Sequence, residues 1–217
     1  CKKHGIPSCG IEPNPMAAFA SRTKVSWEID PEELVRHATH VANAALRKFT
    51  AQGIKDEGAL PLFDSENINV PAFKNLSNEI LKLLLSNSIS PLPLHKALVL
   101  LETLEENKDE RLIQHEHLAF AKILVNDVSN LYFGPEIGVG KLKPDAAVVS
   151  PWLRGVKNIA EDLKKLNQKA ATPSIIHQAD ARDLVSLLEP NSIDAVITSP
   201  PYPNEKDYTR TTRLESV

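Results

Sequence analysis

The chain has 217 residues, of which 24% are charged, 42% are hydrophobic and 5% are aromatic. This composition fits one large or two small globular domains and excludes a disordered, collagenous or disulfide-built protein. With 25 Lys and Arg against 28 Asp and Glu, the net charge is −3, so contact with a polyanion needs a local basic patch. The two cysteines form no CxxC pair, and no apolar run approaches the roughly 20 residues of a membrane span. We therefore expect a cytoplasmic protein that neither crosses nor enters a membrane.

The first 29 residues have the pattern of half a β-α-β unit. A basic segment over 1–4 is typical of a helix end, and Gly5 follows as its C-cap. A short apolar strand is predicted over 6–11, followed by Glu12, a proline-rich turn and a helix over 16–24. These elements predict that the chain opens in an α/β domain.

Residues 30–170 predict a block of helices. Asp30 followed by Pro31 and Glu33 is the signature of a capped helix start, and apolar residues then recur at spacings of three and four as far as Phe49. Further helices are predicted over 75–85, 94–106, 109–131 and 150–168, the last capped by Ser150, with a loop over 132–149. Because a structureless connection of this length is improbable inside a domain, we expect a compact helical subdomain.

From residue 171 the pattern returns to β structure. A strand is predicted over 174–178, a short helix over 182–188, and a continuous apolar strand over 193–197, which is typical of a strand buried on both faces. We therefore predict an α/β fold, a partial Rossmann-like parallel sheet built from residues 1–29 and 171–217. The helical block is predicted to be a large insertion between consecutive strands of that sheet.

The sharpest chemical signal directly follows the predicted strand 193–197. It consists of Ser199, Pro200, Pro201 and Tyr202. Ligands of open α/β sheets bind beyond the carboxyl ends of the strands. The prolines fix the backbone and donate no N–H, the local carbonyls are available as acceptors, and the tyrosine ring offers a stacking surface. This combination fits a planar molecule with an amino group; the alternative interpretation is a proline-rich exit from a strand.

These four residues resemble the catalytic motif of S-adenosylmethionine-dependent amino-methyltransferases that act on DNA, and the segment that continues to residue 213 is also similar. Segment 10–15 resembles the second strand of that family, where an acidic residue, here Glu12, receives the ribose hydroxyls of the cofactor. Segment 178–183 resembles the third-strand motif, where Asp180 would accept a hydrogen bond from the adenine amino group. Taken alone, each carboxylate is also compatible with a structural role, and Asp180 fits the N-cap of the following helix.

The resemblance implies a cofactor, a reaction and a substrate. S-adenosyl-L-methionine would be held by residues that follow the two strands, namely Glu12, Asn14, Asp180 and Ala181. The target base would be flipped out of the DNA duplex, with Ser199 and the Pro200 carbonyl accepting hydrogen bonds from its amino group and Tyr202 stacking on its ring. DNA phosphates would be met by the basic residues that follow the motif, which are Lys206, Arg210 and Arg213.

The target atom follows from the first residue of the motif. Serine at position 199 resembles the cytosine-N4 branch of the family, whereas the adenine-N6 branch more often has aspartate, so cytosine N4 is favoured. Adenine N6, methylation of RNA or of a protein, and an inactive helical module that binds DNA or protein stay open as alternatives. A nicotinamide dehydrogenase would also place an acid after its second strand, but it has no use for this motif. A cognate restriction endonuclease is a further partner that the resemblance allows.

The chain ends also bear on function. Because the sequence starts with Cys1 rather than Met and stops at Val217 in a polar stretch, we expect an internal fragment that is inactive alone. The family's glycine-rich cofactor loop is expected before Cys1, and the target-recognition region after Val217.

Two groups of polar residues in the helical block need separate interpretations. The pairs His37/His40 and His115/His117 lack the HExxH spacing and a cysteine partner, so we predict exposed histidines and no metal. Basic residues late in the block are predicted to face DNA, in particular Lys157, Lys164 and Lys165.

Overall fold

The computed structural model describes residues 1–57, 73–133, 137–166 and 171–198. Its elements are β1 (Ser8–Ile11), α1 (Pro15–Val25), α2 (Pro31–Ala51), α3 (Asn78–Leu83), α4 (Pro91–Glu106), α5 (Ile113–Ile123), β2 (Leu131–Phe133), β3 (Ile137–Val139), α6 (Val149–Leu166) and β4 (Ser174–His177). The protein is mixed α/β, with mostly helices and a small parallel sheet. It divides into two compact units, one of Cys1–Ser26 with the described part of Lys169–Val217, the other of Trp27–Gln168.

The α/β unit is built on the parallel pair β1 and β4, whose register places Ser8 opposite Ser174. The two serine hydroxyls are hydrogen-bonded at 2.9 Å. At Gly10 a Cβ atom would lie 2.7 Å from Cδ1 of Ile176, so a larger residue there would require the end of the Ile176 side chain to move. Helix α1 packs on β4. This arrangement is consistent with a partial Rossmann-like fold.

The predicted buried strand over 193–197 is wrong for this structure. These residues form neither helix nor strand, and the side chains of Val196 and Ile197 are 82% and 93% exposed. The physical reason is the missing neighbour, because a strand is stabilised by the ladder of an adjacent strand. The described residues of this unit contain only the pair β1 and β4, and neither of them pairs with this segment.

The helical unit is centred on α2 and α6, which pack on each other, with α4 against α2 and α5 against α6. The start of α2 follows the sequence prediction, because Asp30 Oδ1 accepts the Glu32 N–H at 2.9 Å. Most of the apolar stripe that predicted this helix is buried from Leu34 to Phe49, whereas Leu46 is 37% exposed. Trp152 of α6 is fully buried, and its indole N–H donates to the Glu116 carbonyl at 3.0 Å. None of the described helices is long and apolar enough to cross a membrane.

The cap of α6 comes from a residue 94 positions before Ser150. Asp56 Oδ1 accepts the N–H groups of Val148 and Val149 at 2.7 and 3.2 Å, and its Oδ2 accepts the Ser150 N–H at 2.9 Å. The predicted cap at Ser150 is therefore wrong. A carboxylate at a helix N-terminus satisfies the free N–H groups and interacts favourably with the helix dipole, which a serine does more weakly.

The segment predicted as a loop over 132–149 contains a short antiparallel hairpin of β2 and β3. Asn130 anchors it: its side chain donates to Asn87 O and Ser90 Oγ at 2.9 and 3.0 Å and accepts the Lys143 N–H at 2.8 Å. Two of the predicted helices are also shorter than expected. The helix predicted over 75–85 is confined to α3, and the one predicted over 109–131 is α5 with a π-helical turn at Leu124–Val128.

Candidate functional site

Glu12 and Asp180 follow the carboxyl ends of the two parallel strands β1 and β4. Their main chain continues the ladder beyond the strands, because the Glu12 N–H donates to the His177 carbonyl at 2.9 Å and the Ala179 N–H donates to the Glu12 carbonyl at 3.2 Å. Parallel neighbours end at the same edge of a sheet. The two carboxylates, 168 residues apart in sequence, therefore share one edge, which is where α/β proteins bind ligands.

The Glu12 side chain is half-buried and is held by the turn that follows it. Its Oε1 accepts the Asn14 N–H at 2.9 Å. Among the described residues, no hydrogen bond reaches its Oε2, so one carboxylate oxygen is available to a ligand. The Asn14 side chain has a structural role, because its Oδ1 accepts the Ala17 N–H at 3.0 Å and caps α1.

Asp180 forms a tight local pair with Arg182. Its Oδ1 accepts the Arg182 main-chain N–H and the guanidinium Nε–H, both at 2.9 Å. These hydrogen bonds lower the pKa of Asp180 to about 2, so the carboxylate is charged at neutral pH. The structure thus places Asp180 at the start of the 3₁₀ turn Ala181–Ser186, as the N-cap interpretation predicts. The pair is exposed, so water or a ligand donor replaces the guanidinium at little cost.

The other predicted site residues lie outside the described residues. These are the motif residues Ser199, Pro200, Pro201 and Tyr202 and the basic residues Lys206, Arg210 and Arg213. Their roles stay predictions.

The prediction of exposed histidines is confirmed for His40, but His37, His115 and His117 are not exposed. His115 is only 2% exposed, and His37 is half-buried against α5. His37 Nδ1 lies 2.8 Å from Oε1 of the fully buried Glu116, and its Nε2 lies 2.8 Å from the Asn107 carbonyl. In the part of the chain that the structure describes, no three His, Cys, Asp or Glu side chains are grouped to hold a metal ion.

The pKa values of His37 and Glu116 are both raised, but for different reasons. Burial raises the pKa of Glu116, and its contact with His37 offsets only part of that rise. Burial alone would lower the pKa of His37, but the hydrogen bond to Glu116 and its negative charge more than offset this and raise the pKa above 6.5. The hydrogen bond satisfies Oε1 of the buried Glu116 and links α2 to α5, whereas among the described residues Glu116 Oε2 is buried without a hydrogen-bond partner.

We predict that His37 titrates above pH 6.5 and that Glu116→Gln lowers its pKa, because the variant removes the negative charge beside the imidazole. Proton linkage determines how the free energy of unfolding changes with pH. A folded-state pKa above the unfolded value of about 6.5 contributes stability that is fully present below pH 6.5 and is lost as the pH rises through the folded pKa. An NMR titration of the imidazole resonances measures the shift. The same His37 pKa in both proteins would contradict the pairing.

Two of the three lysines predicted to face DNA have acidic neighbours. Lys164 Nζ lies 3.9 Å from Glu32 Oε1 of α2, and Lys165 Nζ lies 3.7 Å from Asp162 Oδ1 of its own helix. Lys157 is exposed, and the described residues give it no ion pair. Both contacts are long and solvent-exposed, so Lys164 and Lys165 remain largely available to a polyanion.

Comparison with known proteins gives one informative similarity. The chain is 28% identical, over an alignment of 234 positions, to the Type II methyltransferase M.BsoBI of Geobacillus stearothermophilus. The alignment covers 99% of this chain but 43% of that protein, so the chain spans less than half the length of this relative. No family model and no solved structure matches the chain. The chain is therefore similar to a methyltransferase over nearly its whole length.

Proposed function

We propose that the chain is part of a DNA methyltransferase that transfers a methyl group from S-adenosyl-L-methionine to an exocyclic amino group of a flipped base, with cytosine N4 as the favoured target. The observation that carries this proposal is the shared sheet edge of Glu12 and Asp180, in a chain similar over 99% of its length to a Type II methyltransferase. Serine at position 199 favours cytosine N4; adenine N6 is the second candidate.

The residues at this edge fit the chemistry of the cofactor. When bound, S-adenosyl-L-methionine supplies an electrophilic methyl group, and it presents ribose hydroxyls and an adenine amino group as hydrogen-bond donors. Glu12 has a carboxylate oxygen that no described residue uses, which suits the ribose hydroxyls. Asp180 is ionised and accessible, which suits the adenine amino group. Both are acceptors, so the donor groups of the ligand meet complementary partners.

The motif that follows residue 198 would act on the target base. A base inside a duplex cannot bring its amino nitrogen to the cofactor, so the base has to be flipped out. The Ser199 hydroxyl and the Pro200 carbonyl would then accept hydrogen bonds from the amino group, which withdraws its lone pair from ring conjugation and aligns it for transfer. Tyr202 would stack on the base, and Pro201 would keep the loop rigid.

The remaining features of the proposal concern partners. Lys206, Arg210 and Arg213 would contact DNA phosphates next to the motif, where guanidinium and ammonium groups position the duplex without reading its sequence. A cognate restriction endonuclease would be the biological counterpart of such an enzyme, and the cytoplasm its site of action. The helical unit is proposed as an insertion between consecutive strands of the methyltransferase sheet.

The experiment that tests the proposal uses the full-length product of the gene that contains this sequence. It is incubated with duplex DNA and S-adenosyl-L-methionine carrying a labelled methyl group, and the DNA is digested to nucleosides for mass spectrometry. Labelled N4-methylcytosine is the expected product. Labelled N6-methyladenine would replace cytosine by adenine as the target, and the absence of any labelled nucleoside would overturn the proposal.

We predict that Glu12→Ala and Asp180→Ala each weaken cofactor binding at least about tenfold. Each substitution removes a charged acceptor from a ligand donor, and such a hydrogen bond contributes about 1.5 to 3 kcal/mol. Calorimetry on the full-length protein measures the dissociation constants. Asp183→Ala is the matched control, because it removes a neighbouring carboxylate from the same 3₁₀ turn. Dissociation constants equal to that of the parent in both variants would remove these residues from the cofactor site.

A further inference from the structure

The solvent-facing side of α2 has a stripe of polar and basic residues without an acidic member. Five exposed residues of α2 are separated alternately by four and three positions, so they lie on one face of the helix; they are at positions 36, 40, 43, 47 and 50. They are Arg36, His40, Asn43, Arg47 and Thr50. The sequence contains no Asp or Glu from residue 34 to residue 55. The face is therefore positively charged in a chain whose net charge is −3.

The two arginines of this stripe form no ion pairs with acidic residues of the described part of the chain. Among the described residues, neither Arg36 nor Arg47 has a hydrogen bond or an ion pair. Other cations of the same unit do: Lys48 pairs with Glu106, and Arg111 holds Glu33 with two hydrogen bonds of 2.7 and 3.1 Å. The acidic residues near α2 therefore neutralise other positions, and both guanidinium groups are available to an external anion.

Helix α6 extends this basic face. The end of α6 lies at the start of α2 through Lys164 and Glu32, and the start of α6 is capped by Asp56, which follows the end of α2. The two helices are therefore antiparallel neighbours. Lys157 is two turns from Lys164 and Arg36 is one turn from Glu32, so both lie on the side of the helix pair that carries this contact. The exposed carboxylates of Glu32 and Glu161 lie on the same side.

The dimensions and chemistry of the stripe fit a nucleic-acid backbone. Arg36 and Arg47 are 11 residues apart, which corresponds to about 16 Å along a helix, or roughly five phosphate steps of one strand. Guanidinium groups bind phosphates in a bidentate manner, and an amide such as that of Asn43 donates to phosphate oxygens.

We propose that this face of α2, with Arg36 and Arg47 as phosphate ligands and Lys157 of α6 beside them, binds the backbone of duplex DNA. The choice of DNA as the polyanion rests on the proposed function. This surface differs from the one predicted from the sequence, because it is centred on two arginines of α2 and not on Lys164 and Lys165. The surface positions the duplex and does not read its sequence.

The test measures the affinity of the 217-residue chain for a labelled DNA duplex of about 20 base pairs over a range of salt concentrations. For the double variant Arg36→Gln/Arg47→Gln we expect at least about tenfold weaker binding at low salt. The slope of log affinity against log salt should also become shallower by about two, because two phosphate contacts are lost. Both side chains are exposed, so the circular dichroism spectrum should match that of the parent.

The matched control is Lys82→Gln/Lys122→Gln, which removes two exposed lysines from α3 and α5 and changes the net charge equally. It should leave the slope unchanged. An unchanged slope in the arginine variant, or an equal change in the control, would overturn the proposed surface. The methylation assay distinguishes failure of the surface from failure of the proposed function. If the parent methylates DNA and the arginine variant has an unchanged salt slope, only the surface is rejected. A shallower salt slope for the arginine variant, together with no methylation by the parent, would support the surface and reject the proposed methyltransferase function.

Discussion

Replacing Ser199 with alanine in the full-length protein is expected to reduce methyl transfer to DNA by at least about a hundredfold, with cofactor affinity unchanged. The expectation follows from the proposed position of the hydroxyl, which would contact the amino group of the base and not the cofactor. Removing one preorganised hydrogen-bonding group at a reacting centre typically costs about 10² to 10³ in rate. Tyr202→Ala should reduce methyl transfer by about 5- to 150-fold, since stacking contributes about 1 to 3 kcal/mol per base.

The control for Tyr202 is Tyr202→Phe, which keeps the stacking ring and removes only the hydroxyl. It should retain most of the methyl transfer, whereas both alanine variants should lose it. Incorporation of labelled methyl groups into DNA and calorimetry with the cofactor are measured on the same preparations. Parent-level incorporation in both alanine variants would remove the motif from the base site, and lost cofactor binding would assign it to the cofactor instead.

The helices were the most predictable part of the fold because their signals are local. The stripe that ends at Phe49 predicted α2, and the observed helix Pro31–Ala51 confirms it together with the cap at Asp30. The turn before residue 16 likewise predicted α1, which is Pro15–Val25. In both helices the residues that define the start lie within one turn of it, so sequence spacing contains the required information.

Features that depend on distant partners were missed. Asp56 caps α6, which begins more than 90 residues later in the sequence. Glu116 forms a hydrogen bond with His37, from which it is separated by 79 residues. No local pattern marks either residue, because the partner is set by how the helices pack. The apolar run over 193–197 is the opposite case, because its local pattern predicted a strand that the structure does not contain. Its composition is that of a buried strand, but a strand requires a neighbour, and the described residues supply none.

The candidate site was predictable one strand at a time. The sequence placed Glu12 and Asp180 each after a strand, and the parallel pairing of those strands brings both to one edge. The local partners were not predictable in full. The N-cap role of Asp180 was foreseen as an alternative, whereas its guanidinium partner Arg182 and the contact of Glu12 with the Asn14 N–H emerged only from the structure. A carboxylate that is held locally is preorganised for a ligand, so structural and binding roles are compatible.

Asp145→Asn is expected to destabilise the helical unit by about 3 to 5 kcal/mol, because it leaves a buried ammonium group without its counter-charge. Lys96 of α4 is fully buried, and its Nζ lies 2.6 Å from Asp145 Oδ1. Its other contacts are the carbonyls of Glu57 and Ala146, both at 3.3 Å. The ammonium therefore ties α4 to the segments after α2 and before α6, and neutral carbonyls alone do not compensate for its lost hydration.

Lys96→Met should cost less than Asp145→Asn, although it breaks the same ion pair. It removes the buried charge itself, and the Asp145 side chain that is left behind is 21% exposed and can be hydrated. The double variant should then be more stable than Asp145→Asn alone. Urea unfolding followed by tryptophan fluorescence measures these differences for the helical unit, since both tryptophans of the chain, Trp27 and Trp152, are buried in it. Equal losses for the two single variants, with no recovery in the double variant, would show that Lys96 contributes packing and not charge.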